Sequence, residues 1–260
     1  MINSKTVFGL IVEGDAGLGK SFTTIKRLND NKLVHEKDYI IFNTHSSPME
    51  LYECLYRNLD KIIILDDISN LFEDEIKVNI LMSALWSPTK ERVIHWHTSS
   101  EKLKSPSYFT FTGKIIVLTN RLPSHLDTLK SRCFHFELNF SYSDKLKLIH
   151  EIGKLEKIDK KVMKFIKDNS TEASNLNFRT LFKINEIYKA NMDKGWKELA
   201  NLELEVDEQR AIFLEVVKEL QNKSVNEQIC EFVRRSGRSR RQFHVLKKQL
   251  IPKLQNCSVF

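Results

Sequence analysis

Eight consecutive residues near the amino terminus, Gly14-Asp15-Ala16-Gly17-Leu18-Gly19-Lys20-Ser21, narrow the possible folds more than any other feature of the chain. Residues 7–13 before them (Val-Phe-Gly-Leu-Ile-Val-Glu) read as a buried strand, and residues 21–28 after them read as a helix. Glycines in the intervening turn permit the backbone dihedrals that point successive N–H groups inward. A ring of such amides at a helix N-terminus is an anion nest. Lys20 adds a point charge suited to the outer phosphates of a nucleotide, and the Ser21 hydroxyl is a hard oxygen suited to Mg²⁺. The pattern predicts that Gly14 through Ser21 hold the phosphates of ATP with its Mg²⁺.

A second acidic element supports this reading. Lys-Ile-Ile-Ile-Leu-Asp over 61–66 is a continuous apolar strand that ends on Asp66 and is followed by Asp67, 46 residues after Lys20 for the first of the two. A carboxylate at the carboxyl end of a strand neighbouring the phosphate loop is where Mg²⁺ is held through its water shell. Asp66 takes that role, and Asp67 is placed to orient the attacking water. Further strands are expected at 39–42, 114–118 and 133–138, and helices at 48–57 and 73–85, the latter with Ile76, Ile80, Leu81 and Leu85 on one face. Uninterrupted apolar strands alternating with helices imply a parallel sheet covered on both faces, a doubly wound α/β domain. Residues 92–111 hold two alternating segments, Val93–His97 and Tyr108–Phe111, and read as an inserted hairpin. His95 and His97 share one face of it and lack the further ligands a metal would need.

These motifs together resemble the AAA+ ATPase superfamily of P-loop NTPases over roughly residues 5–190. The segment Ile115-Ile-Val-Leu-Thr-Asn120 is similar to that family's sensor-1 strand, which makes Asn120 the polar residue near the γ-phosphate. Leu129-Lys-Ser-Arg132-Cys133 resembles the box whose arginine reaches nucleotide bound by a neighbouring subunit, with Arg121 as the rival finger. Asn177-Phe-Arg179 resembles the sensor-2 helix of a lid, so Arg179 would touch nucleotide. The resemblance implies a homo-oligomer with ATP between subunits. One departure is visible: most family members carry Glu where this chain has Asp67, which makes binding more secure than rapid turnover.

From residue 143 the glycines and apolar β-runs disappear. Helical patterns cover 143–157, 160–169, 178–191 and 207–222, the last with Ile212, Phe213, Val216, Val217 and Leu220 on one side. Ser224-Val-Asn-Glu227 is a capping box. It opens a helix with Val225, Ile229, Phe232 and Val233 on one face, broken at Ser236-Gly237-Arg238. Ser239-Arg-Arg-Gln242 opens another, with Phe243, Leu246 and Leu250 inward and Pro252 as its expected stop. Two capped helices joined by a glycine turn fit a helix-turn-helix.

Charge concentrates in the same place. The chain's net charge is +7, yet residues 224–260 carry eight lysines and arginines against two glutamates, leaving +1 for everything before them. A nearly neutral body with a basic terminal element suggests a localised polyanion contact. DNA is the expected partner, with Arg238, Arg240 and Arg241 near the start of the recognition helix and Arg234, Arg235, Lys247 and Lys248 on phosphates. Lys102 and Lys104 in the hairpin are weaker DNA candidates.

The expected organisation is an α/β core over 1–140, an all-α lid over 141–200 and a small all-α helix-turn-helix over 205–260. No apolar run approaches the roughly 18–20 residues of a membrane span, and the amino terminus enters a strand with no secretory signal. Cys54, Cys133, Cys230 and Cys257 are scattered, as in a cytoplasmic protein with reduced thiols. The combination suggests an ATPase in DNA replication of a mobile or viral element: an initiator, a helicase loader or a helicase, working with a helicase or another replication protein. The alternatives are a protein-remodelling ATPase and a slow-turnover nucleotide switch whose basic tail docks a partner. A remodeller would use an aromatic pore loop, and Tyr108–Phe111 reads better as a strand.

Overall fold

The computed structural model describes residues 2–43, 45–68, 70–89, 91–96, 105–190 and 195–256, the last five by their backbone. His97, Lys102 and Lys104 lie outside the described residues. The chain divides into two compact units, Met1–Asn139 and Phe140–Phe260. Among the described residues no helix is long and apolar enough to cross a membrane.

The first unit begins with β1 (Gly9–Gly14), α1 (Lys20–Asp30), β2 (Tyr39–Phe42) and α2 (Pro48–Arg57). It continues with β3 (Ile62–Asp66), α3 (Glu75–Leu85) and a hairpin of β4 (Val93–His95) and β5 (Tyr108–Thr110). β6 (Lys114–Thr119), the short α4 (Asp127–Lys130) and β7 (Phe134–Leu138) complete it. Five strands form one parallel sheet in the order β2-β3-β6-β1-β7. β6 lies between β1 and the strand bearing Asp66.

The unbroken apolar run in β3 follows from packing on both faces. Ile63 and Leu65 join Ile11, Ile115 and Val117 in a core with Leu51 and Leu55 of α2 and Leu81 and Leu85 of α3. Ile62 and Ile64 face the other way, with Ile116, Leu118 and Leu28 of α1. Each such side chain contributes about 1.5–3 kcal/mol on burial, so both faces are held. Local signals set the helices. Ser47 and Glu50 form a reciprocal capping box at α2, with Pro48 at its first position, and the Asp74 carboxylate accepts from the Ile76 and Lys77 amides at α3. Ile76 departs from the expected core face of α3; it is 52% exposed, while Lys77 is fully buried.

The hairpin pairs Ile94 with Phe109 in antiparallel register, and both side chains are buried. Arg92 roots it: its guanidinium donates to the carbonyls of Ala84 (2.6 Å) and Gly113 (2.9 Å) and lies 3.8 Å from the centre of the Phe8 ring.

The second unit is all helical. Its first four helices are α5 (Tyr142–Leu155), α6 (Lys160–Asn169), α7 (Phe178–Ala190) and α8 (Trp196–Leu204). They share a core that includes Ile149, Phe165, Leu181, Ile184 and Trp196. Then come α9 (Glu208–Glu219), α10 (Val225–Ser236) and α11 (Arg240–Asn256), which close around a separate core. There Phe213, Phe232 and Phe243 meet with ring centres 5.0–6.2 Å apart. Val225 and Val233, expected on the inner face of α10, are 41% and 37% exposed, and Gln228 is buried beside Ile229 and Phe232 instead. α11 also runs past Pro252 to Asn256. Proline forgoes one hydrogen bond there without ending the helix.

Candidate nucleotide site and basic helical surface

The carboxyl ends of the parallel strands place the expected phosphate-site residues along one edge of the sheet. Registers Val12↔Leu118 and Asp66↔Leu118 set the ends of β1, β6 and β3 level. Gly14, Asp66, Asp67 and Asn120 therefore emerge side by side, where ligands bind in open α/β sheets.

Within the loop, Gly17 and Gly19 both have φ of +75°, the left-handed region that favours glycine, and Gly19 caps α1. Gly14 is required for a different reason: a Cβ there would stand 2.9 Å from that of Leu138. The first turn of α1 carries no acidic side chain, so nothing on it competes with an anion for the helix amides. Leu18 is buried and fixes the loop, while Asp15 and Ala16 are exposed.

Lys20 Nζ donates to the carbonyls of Gly14 (2.6 Å) and Asp15 (3.0 Å) and to Oδ1 of Asn120 (2.9 Å). Asn120 Nδ2 in turn donates to Oδ1 of Asp67 (3.3 Å). Asp67 adopts φ of +51°, and its amide extends the β3–β6 ladder by donating to Leu118 O (3.0 Å). Three of the expected site residues are thus joined in one chain of side-chain bonds. Ser21, in the first turn of α1, and Asp66, at the end of β3, are half-buried. Their hard oxygens, few in number, suit Mg²⁺ completed by phosphate and water. Among the described residues no cluster of three or more His, Cys, Asp or Glu could hold a metal by protein ligands alone.

The arginines are placed differently. Arg132 Nη1 donates to Met82 O (3.3 Å) at the last turn of α3, and its guanidinium lies 5.5 Å from the Trp86 ring centre. Arg121 is exposed directly after Asn120. Arg179 belongs to the second unit, exposed in the first turn of α7.

On α9–α11 several basic residues brace the helices. Arg235 donates to Glu231 and to Glu219 of α9 (2.6 Å each), and Arg234 pairs with Glu231. Arg234, then Arg235, hold the Glu231 carboxyl down to about pKa 2. Arg240 Nη2 donates to Asn226 Oδ1 (3.0 Å). With its amide oxygen turned toward Arg238, Gln209 accepts from Nε (3.0 Å) and Nη2 (2.8 Å) of that residue. Arg241 and Lys248 are exposed and Lys247 is half-buried. Gly237, with φ of +65°, caps α10, and three residues separate that helix from α11. The Ser224–Glu227 capping box forms in full, and Ser239 Oγ accepts from the Gln242 amide (3.3 Å).

Sequence reasoning passed over Glu13, His135, Asn70 and Lys77. Lys77 Nζ donates to Asn70 Oδ1 (2.7 Å), and Asn70 Nδ2 lies 3.3 Å from His45 Nε2. This joins the loop after β3 to the loop after β2. Nothing in the local pattern of three isolated polar residues announces such a contact.

A parallel sheet in this order, with a glycine-rich loop between β1 and α1 and helices on both faces, followed by an all-helical region, is the fold of the AAA+ ATPases. In structure the chain is similar to RuvB of Thermotoga maritima, the Holliday junction branch migration motor, with TM-score 0.50 and 12% identity. That match covers 95% of this chain and 82% of RuvB. A single-residue mutant of the same RuvB matches at TM-score 0.50 and 13% identity over the same shares. In sequence the chain is 25% identical over 218 residues to a 36.7-kDa protein of the nrdC–mobD intergenic region of Enterobacteria phage T4. The alignment covers 74% of this chain and 66% of the phage protein, just under two thirds of its length. No family model matches the chain.

Proposed function

We propose that this chain binds and hydrolyses ATP with Mg²⁺ and couples that cycle to DNA in the replication of a mobile or viral element, as an initiator, helicase loader or helicase. The observation that carries the reading is the chain Lys20–Asn120–Asp67 at the carboxyl edge of the sheet, beside a glycine-built anion nest. The amides of Gly14 through Ser21 cradle the phosphates. Lys20 leaves Asn120 to meet the β- and γ-phosphates, Ser21 and Asp66 hold Mg²⁺, and Asp67 with Asn120 orients the attacking water. Arg132 completes the site of a neighbouring copy in a homo-oligomer, and Arg179 contacts nucleotide from the lid, residues 141–200.

DNA is held by the helix-turn-helix of residues 205–260. Arg238, Arg240 and Arg241 approach it at the amino end of α11, and Arg234, Arg235, Lys247 and Lys248 meet phosphates. The three-residue turn, the capped helices and the basic surface support this, and the phage relative supports a viral setting. A replicative helicase or similar protein is the expected further partner. A slow-turnover switch is the second reading, favoured by the shortness of Asp67 and its existing bond to Asn120.

Duplex-DNA affinity measured across salt concentration tests the DNA half. Four or five phosphate contacts give a log–log slope of roughly −4. Absent binding at low salt, or a flat slope, refutes it.

A further inference from the structure

Glu13 is the penultimate residue of β1, directly before Gly14 of the phosphate loop, and is paired in register with Thr119 of β6 and Glu137 of β7. Its side chain is 15% exposed. Oε1 accepts from the amide of Leu122 (3.0 Å), and Oε2 is 3.1 Å from Nε2 of His135, itself 22% exposed. A half-buried carboxylate needs hydrogen-bond partners. Here it fixes a turn.

Leu122 is 5% exposed, so its amide lacks easy access to water and needs a partner. The turn from Thr119 to Leu122 is tied at one end by the β1–β6 ladder and at the other by Glu13. Thr119 Oγ1 tightens it by donating to Arg121 O (3.0 Å). Asn120 sits between the two ties, and its side chain is the middle member of the Lys20–Asn120–Asp67 chain.

We propose that Glu13 is a positioning residue: through the Leu122 amide it sets where Asn120 stands relative to Lys20 and Asp67. The proposal rests on the hydrolytic reading of this site. Glu13 touches no reacting atom and acts through the backbone of the turn.

The test compares the full chain with Glu13→Ala and Glu13→Gln, measuring kcat and KM for ATP, ADP–Mg affinity, melting temperature and hydrogen exchange at Leu122. The alanine variant should lose roughly ten- to a hundredfold in kcat, as a small misplacement does. KM and ADP affinity should stay within about twofold, because positioning acts on the transition state. Exchange at Leu122 should quicken. Glutamine should recover most of the rate and the protection, since its Oε1 can accept the same bond. An alanine variant with wild-type kcat, equal impairment of both variants, or parallel loss of kcat and ADP affinity overturns the proposal. If the wild type hydrolyses no ATP, the hydrolytic reading fails on its own. Leu122 exchange then decides: quickened in alanine and restored in glutamine supports positioning, and unchanged exchange refutes it.

Discussion

Lys20 and Asn120 are 100 residues apart in the chain, and their side chains meet at 2.9 Å. An ammonium can only donate, so it fixes the Asn120 amide with Oδ1 inward and leaves Nδ2 for Asp67. A phosphate arriving at Lys20 competes for that ammonium, and whatever it takes from Asn120 alters the residue facing Asp67. Under the proposed function, the bond is a physical route by which a phosphate at Lys20 reaches Asn120 and Asp67.

Asn120→Ala removes both bonds while leaving the amide nest untouched. The expected outcome in steady-state kinetics is a kcat reduced by about a hundredfold, the scale of one lost polar group at a developing charge. ADP–Mg affinity by titration should remain within a few-fold of wild type. A large loss of affinity with unchanged kcat would place Asn120 in binding instead.

Asp67→Asn keeps the size of the side chain and discards the carboxylate. Turnover should fall by about a hundredfold, within the span of general-base effects, with ADP binding retained. Wild-type turnover in this variant would remove Asp67 from the role of orienting water.

The sheet and the loop were legible in the sequence because each rests on a short local rule. Glycines at φ of +75° and a helix start mark the loop, and the run Ile62–Leu65 marks a strand buried on both faces. What escaped depends on tertiary contact. α8 buries Trp196, Ala200 and Leu204, but Leu199 and Leu202 are exposed at 44% and 73%, which blurs its periodicity. Ile76 leaves its expected core face on α3 while Lys77 is buried, with Asn70, seven residues away, supplying the lysine with an acceptor. Glu13 was invisible for the same reason: its partners lie 109 and 122 residues further along. The basic surface was legible as charge, but its internal bracing through Glu219, Asn226 and Gln209 was not.

The Lys77 contact leads to a stability prediction. Lys77 is buried, and its ammonium donates to the amide oxygen of Asn70. Replacing a buried ion by an apolar side chain of similar length is often neutral or better, so Lys77→Met should stay within about 1 kcal/mol of wild type or exceed it. Asn70→Ala leaves the ion without that acceptor and should cost about 2–3 kcal/mol. Urea unfolding of the two variants checks the order, which would be reversed if Asn70 were incidental.

Acid should loosen the three-helix unit. Glu231 is depressed from 4.5 to about 2, chiefly by Arg234 and then Arg235. A depressed carboxyl contributes stability above its unfolded value and loses it as pH falls through the folded one. Melting should therefore weaken between pH 4.5 and about 2, and Glu231→Gln should remove that part of the pH dependence. A melting curve whose acid limb is identical in the variant would show that the pair contributes nothing.

Phosphate release from ATP, with and without duplex DNA, shows whether the Gly14–Ser21 loop drives a DNA-coupled ATPase. Wild-type protein should release phosphate faster when DNA is added, and Lys20→Ala should abolish both rates. Phosphate release that DNA leaves unchanged would show that the ATPase is not coupled to DNA, and release that survives in Lys20→Ala would show that the loop does not drive it.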